Sequence, residues 1–484
     1  MLRKPRAFAA AACVAALLAT GGCQVGPDYE PADLSPRVHP SWTEALDSDA
    51  TELPAEALGA WWESWGDPRL VELVQAALAQ NLPLQEARER IVAARAARGV
   101  ENAARLPAVD AETSFEYFSV GEDADPTTGA PPGLDGDQYA LGVLAGWELD
   151  LWGRVARLVE AADADIAFAV EDFRAARVAL AAEVAREVVL IRGFDAEIAV
   201  IEAGLDSDQT AVDIARARAD AGFTGQLDAL RAQRVLETNR ALIPSLRGQR
   251  RAAELRIAAL LSETPDATRV RPIDGFADPD VPELGVPADL LTRRPDIRAA
   301  ERAFAAATAR VGSAIAERYP RVSLTGSLVL QGPDVGDTIN DQAHLLNVGP
   351  SITLPLFQGG RILSNIALAE SEQRRALLEL EQTVVVALTE VEAAAAQYRQ
   401  FARQADGFAA AQAVAEDVEA LSLDRYEAGA ADFLEVTDAT TQRLAIERQR
   451  VAAQRDTQLQ LALLYAALGG GWEIAEASPT PDAP

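Results

Sequence analysis

A glycine near the C-terminal end of the chain, Gly429, is followed by three carboxylates, Asp432, Glu435 and Asp438. At i, i+3 and i+6 of a helix they share roughly one face. Repeated around a symmetry axis, each becomes an acidic ring, which favours cations, repels anions and resists close approach unless protonated or ion-bound. A solvated face on an acidic protein is the plainer alternative. A second glycine, Gly222, stands at the break of an earlier pattern, and there Gly222 to Asp228 carries Asp228 alone. Two tips of this kind are chemically unequal.

The remaining candidates for chemistry are few. Residues 1–22 open with Arg3, Lys4 and Arg6, run through an apolar stretch from Phe8 to Leu18 and end on small residues, as a secretory signal does. Thr20-Gly21-Gly22-Cys23 resembles a bacterial lipobox, with Thr20 where Leu is usual, so Cys23 is expected to carry lipid; ordinary cleavage near Cys23 is the alternative. Gln24 follows, not the Asp that commonly retains such lipoproteins in the inner membrane. Cys13 lies inside the signal, so the mature chain keeps one thiol and no internal disulfide.

Lys4 is the only lysine, which excludes P-loop and Schiff-base chemistry from the mature chain. A formal charge of -30, from 44 basic and 74 acidic residues, repels nucleic acid. His39 and His344 are far apart, both in loop-type sequence, no Gly-x-Ser-x-Gly elbow is present, and no metal or cofactor is expected beyond the lipid on Cys23. Arg293, Arg294 and Asp296 flank Pro295 as a structural turn and helix start would.

An internal repeat must position these residues. Leu84 to Ser114 aligns with Ile297 to Ser327 at a constant offset of 213, with Gly99 on Gly312, Pro107 on Pro320 and Val109 on Val322. Each half reads as helix, strand, polar loop, strand and a very long helical region. In Val322 to Gln331 the residues Val322, Leu324, Leu328 and Leu330 alternate with Ser323, Thr325 and Ser327. In Val109 to Tyr117 the alternate face is Asp110, Glu112, Ser114 and Glu116, too acidic for a core but suited to a wet lumen. Tyr117, Phe118, Tyr139, Trp147, Trp152 and Phe357 fall near strand ends, as interfacial girdles or as caps on a soluble core.

Four strands cannot close a membrane barrel, which needs about eight, and open edges are not tolerated in lipid. Strands that enter a membrane here require several copies, and three supply twelve strands. Between Ile166 and Leu205, apolar residues recur at spacings of three or four with one gap of seven, a coiled-coil seam. A continuous helix from Arg154 to Ala221 would be roughly 100 Å long at 1.5 Å per residue. Gly222 and Gly429 then turn two helical hairpins.

In order along the chain stand CQVGPDYEP (23–31), WWESWGDPRL (61–70), LLTRRPDIRAAE (290–301), RYPRVSLTGSL (318–328), LPLFQGGR (354–361), YEAGAADFLEVTDA (426–439) and ALGGGW (467–472). Together they resemble the outer-membrane efflux factor family, the TolC and OprM type, in its NodT-like lipoprotein branch of RND efflux systems. The resemblance implies an α+β membrane protein: a homotrimer whose 12-stranded β-barrel, four strands per chain, continues into a long α-helical coiled-coil barrel with a mixed equatorial domain. It implies a periplasmic adaptor protein on the hairpin tips, an inner-membrane RND transporter that drives export, and outer-membrane lipid around the barrel. It places the periplasmic gate at Asp432, Glu435 and Asp438, with Tyr426 as a latch by family position, and Ala430 and Ala431 where some members use an Arg.

The expected layout is signal peptide 1–22, lipidated and equatorial segment 23–80, first repeat 81–264, linker 265–293, second repeat 294–470 and tail 471–484. Strands are expected at about 107–120, 138–150, 320–331 and 346–357, and helical hairpins at about 154–261 and 361–468. The expected function is a passive exit duct and not an enzyme. Alternatives are a duct for type I protein secretion and a structural coiled-coil lipoprotein that bridges envelope layers, which would have no use for the strands. A carboxylate hydrolase has no pocket signature to support it.

Overall fold

The computed structural model describes residues 24–44, 58–119, 135–265, 276, 279, 281–282, 284–339 and 344–472. Cys23, the signal sequence, part of the linker and most of the tail therefore lie outside the described residues. In chain order the elements are α1 (Pro68–Gln80), α2 (Leu82–Ala103), β1 (Ala108–Ser119), β2 (Asp135–Leu149), α3 (Arg154–Asp220), α4 (Gln226–Arg240), α5 (Ile243–Leu260), α6 (Leu290–Arg293), α7 (Pro295–Ala316), β3 (Arg321–Gly332), α8 (Val335–Ile339), β4 (His344–Thr353), α9 (Arg361–Glu427) and α10 (Phe433–Ala467). The chain divides into two compact units: residues 1–32, 90–169 and 300–380, and residues 33–89, 170–299 and 381–484.

The first unit holds the sheet, antiparallel throughout in the order β1-β2-β3-β4, with β1 and β4 as its two edges. Directly opposed residues share a face, so the register sorts the side chains. Glu112 faces Gly142, which faces Val329; Ser327 faces Asn347 and Leu144, which faces Asp110. That face carries Asp110, Glu112, Glu116, Gln138, Ser323 and Asn347. The opposite face gathers Val109, Phe115, Leu141, Val143, Leu328 and Val348, all exposed in the single chain.

The aromatic expectations divide. Tyr117 and Tyr139 lie on the apolar face, where Tyr139 packs on Phe115 with ring centres 4.8 Å apart. Phe118 instead has the parity of Glu116, pairs with Gly136 and lies on the polar face. Phe357 is outside any strand: β4 ends at Thr353, and Pro355 has no N–H to extend the ladder. Trp147 and Trp152 tie the other end down by donating to the carbonyls of Arg105 and Pro320 at 2.9 and 2.8 Å.

Gln24 to Glu30 is strapped to the same unit. Val25 N–H donates to the Trp152 carbonyl at 3.1 Å, and the buried Arg157 donates to Asp28 at 2.6 Å and to Glu160 at 2.8 Å. Gly26 passes so close to Gly312 that a Cβ would have no room.

In the second unit the periodic residues of α3 do what their spacing predicts. Phe173, Leu180, Val184, Val188, Ile191 and Ile201 are buried, each contributing about 1.5–3 kcal/mol. Trp61 stacks on Tyr465 with ring centres 5.0 Å apart, and the buried Asp67 pairs with Arg192. Arg294 is a structural pin: its guanidinium donates to Asp296, to Glu390 and to the Ala467 carbonyl. The return leg of the first hairpin breaks at Ala241 and Leu242 and restarts as α5 with Pro244 in its first turn, where a missing N–H costs nothing.

Candidate functional site: the hairpin tips

Both hairpins turn by the same device. After α3, Gly222 (φ +78°) donates to Ala219 and Phe223 donates back to Arg218; after α9, Gly429 (φ +75°) donates to Tyr426 and Ala430 donates back to Arg425. This is the glycine-centred helix stop, in which only a residue without Cβ takes the left-handed conformation freely. The hairpins restart differently. Gly225 begins α4 with no side-chain cap, whereas Asp432 caps α10 by accepting from the Leu434 N–H at 2.5 Å.

The three carboxylates are therefore not one uniform helical face. Asp432 precedes the helix and is occupied as its cap. Glu435 lies in the first turn and pairs with Arg425 at 3.1 Å, both half exposed. Asp438 is exposed and has no ion-pair partner among the described residues; it borders a groove of about 390 Å³ between α9 and α10, with Val414, Val418 and Ile446. Sequence spacing gave the acidity of the tip but could not give this division, because a residue placed just before a helix start caps rather than presents its oxygens.

Tyr426 is in the core and not at the surface, at 1 % exposure. It packs with Val212 and Ala215 of α3, Ala232 and Leu236 of α4, and Phe433 and Val436 of α10. Its ring meets Phe433 edge to face at 5.1 Å, and the Arg218 guanidinium lies over it at 4.6 Å. Arg218 also donates to the Glu427 carbonyl at 3.0 Å, so α3 and α9 are tied together at their ends. Burial pushes the Tyr426 hydroxyl above its ordinary value, with the Asp228 carboxylate adding to the rise. In place of an Arg at position 430 or 431, the tie between the hairpins comes from Arg218.

A polar layer behind the tip escaped the sequence reading. Asp208 of α3, 3 % exposed, accepts from Asn239 of α4 at 2.7 Å. Arg443 of α10, also buried, pairs with Glu419 of α9 and with Glu447 at 2.7 Å. Burial holds the Asp208 carboxyl above its ordinary value, while Asn239 and Arg443 pull it down. The signal available was a polar residue at a position that the apolar spacing assigns to the interior.

Among the described residues no group of three His, Cys, Asp or Glu is placed to hold a metal, and no helix is long and apolar enough to cross a membrane. One unit thus holds a sheet with an apolar and an acidic face, and the other holds the tips where two helices of 67 residues each end at a glycine turn.

The chain matches the family described as outer membrane efflux protein over residues 73–263 and 286–470, and it belongs to that family. It is 31 % identical over 468 residues to the solvent efflux pump outer membrane protein SrpC of Pseudomonas putida, covering 95 % of this chain and 98 % of that protein. It is 32 % identical over 479 residues to the outer membrane protein OprJ of Pseudomonas aeruginosa, covering 98 % and 97 %. The solved outer-membrane channel OprN superposes with a TM-score of 0.84 at 31 % identity, covering 93 % of this chain and all of that one. The chain is thus an outer-membrane channel component of an RND-type efflux pump, a passive conduit and not an enzyme.

Proposed function

We propose that three copies of the chain join edge to edge, β4 of one against β1 of the next, to close a twelve-stranded barrel in the outer membrane. The long helices continue it as a coiled-coil barrel through the periplasm. The observation that carries this is the four-stranded sheet, open at both edges, apolar on one face and acidic on the other. Four strands are about half of the smallest closed barrel, and lipid tolerates no unpaired edge. The apolar face then meets lipid and the acidic face lines a wet lumen.

In this assembly the tips form the periplasmic entrance. Asp432, Glu435 and Asp438 recur three times around the axis, and Asp438, which has no cation partner among the described residues, is the member most able to repel its symmetry mates. Tyr426 and Arg218 latch the hairpins from inside. A periplasmic adaptor grips the tips, where Phe223 stands exposed as an apolar contact, and an inner-membrane RND transporter supplies the energy and selects the cargo. Cys23 carries lipid just ahead of the strap that Arg157 and Trp152 hold.

Native mass spectrometry of the detergent-extracted protein tests the assembly. Three copies, each heavier than the cleaved polypeptide by an acyl modification that Cys23→Ser abolishes, are expected. A monomer of unmodified mass would remove both the shared barrel and the lipid anchor.

A further inference from the structure

The end of the sheet opposite to the one from which α3 and α9 continue carries the one-turn helix α8. β3 runs to Gly332, and after Pro333 the chain winds α8 ahead of β4. Asp334 caps the turn by accepting from the Asp337 N–H at 2.8 Å. Thr338, 5 % exposed, faces the sheet: its hydroxyl donates to the Asp334 carbonyl at 2.6 Å and lies 3.4 Å from the Tyr139 carbonyl of β2.

The register decides which face of the sheet α8 covers. Tyr139 pairs with Phe115 on one side and with Gly332 on the other, so all three share the apolar face. A Cβ on Gly332 would stand 2.8 Å from the Thr338 nitrogen and 3.0 Å from the Asp337 carbonyl carbon. The helix therefore rests on the apolar face, at a position where glycine permits its close approach, and not on the face of Glu112 and Glu116.

The turn itself has two unlike flanks. Residues advance by about 100° around a helix, so Val335 and Ile339 share one flank, 57 % and 67 % exposed, while Asp337 stands exposed on the other. Phe115, Tyr117 and Tyr139 lie on the same face of the sheet at the same end. A turn built for water would set its aliphatic side chains against the sheet and its hydroxyl outside. Here the hydroxyl of Thr338 is covered and the two aliphatic side chains are not.

We propose that α8 lies in the outer leaflet at the boundary between headgroups and acyl chains, with Val335 and Ile339 among the chains and Asp337 in water. Lipid acyl chains are the occupant of the apolar flank because α8 continues the face that the barrel proposed above turns to lipid, and the inference rests on that reading. Segments with one apolar and one charged flank settle at this depth, as tyrosines do. Seated there, α8 keeps the chain that leaves β3 on the lipid side of the barrel wall, clear of the lumen, and fixes how deep the barrel sits.

Collision accessibility of nitroxide labels tests it. Val335→Cys, Ile339→Cys, Asp337→Cys and Val143→Cys are labelled in the full protein and reconstituted in vesicles of phosphatidylethanolamine and phosphatidylglycerol, with the unsubstituted protein as the blank for Cys23. Labels at Val335 and Ile339 should collide several-fold more often with oxygen, which concentrates among acyl chains, than with a water-soluble nickel chelate. The label at Asp337 should show the reverse, and Val143, on the apolar face of β2, reads the barrel itself. Oxygen preference at Val143 beside chelate preference at Val335 and Ile339 would put α8 in water; shielding of both from either reagent would put it under protein. Either result overturns the inference and leaves the barrel standing. Chelate preference at Val143 as well would end the barrel reading and the inference with it.

Discussion

Asp432, Glu435 and Asp438 stand in three different situations: a cap, an ion pair, and an exposed carboxylate with no cation partner among the described residues. Their substitutions should therefore part company. Asp432→Ala removes a cap and should cost about 1 kcal/mol of local stability, seen as faster amide exchange in the first turns of α10. Asp438→Ala should leave exchange unchanged and alter ion passage instead. Asp208 makes a different prediction. Its carboxyl is held above its ordinary value of 3.8 mainly by burial, so the folded state binds its proton more tightly than the unfolded state. That stability is present at acid pH and is lost as pH rises through the folded value. Asp208→Asn keeps an acceptor for Asn239 without the charge. It should raise the unfolding midpoint at pH 7 by a few degrees and flatten its fall between acid and neutral pH; a lower midpoint at pH 7 would contradict this. The acidity of the tip was legible in the sequence because it is composition at a known spacing. The burial of Tyr426 was not, because it depends on four helix ends meeting.

Among the elements, the long helices were the most legible. A 67-residue run without proline and with apolar residues every third or fourth position has few other folds open to it. The strands were readable as alternation, yet their ends were set by side-chain parity and by Pro355, which moved Phe118 to the polar face and left Phe357 outside β4. The break at Ala241 and Leu242 was hidden because Pro244 is tolerated in a first turn. Gly429 tests the turn itself. It takes φ +75° with no close backbone neighbour, so Gly429→Ala should cost about 1–2 kcal/mol through backbone strain and loosen the tip without unfolding α9. Tyr426→Ala should cost about 3 kcal/mol and loosen both hairpins together, because its ring joins α3, α4 and α10. Hydrogen exchange resolves the two: one tip relaxed for the glycine, both for the tyrosine.

At the scale of the whole molecule, the sheet is the part that a single chain leaves unfinished. Its open edges and two-faced register are what the proposed shared barrel would complete, and the acidic tip is what the proposed entrance would use. The proposed copy number comes from strand arithmetic alone, since nothing in one chain's hydrophobic pattern counts its neighbours. The most direct measurement is single-channel conductance of the purified protein in planar bilayers, wild type beside Asp432→Ala/Asp438→Ala. Small, cation-preferring currents that grow and lose their preference in the double variant are the predicted result. Equal currents from both proteins would contradict the gate, and the absence of any conductance from either would contradict the duct.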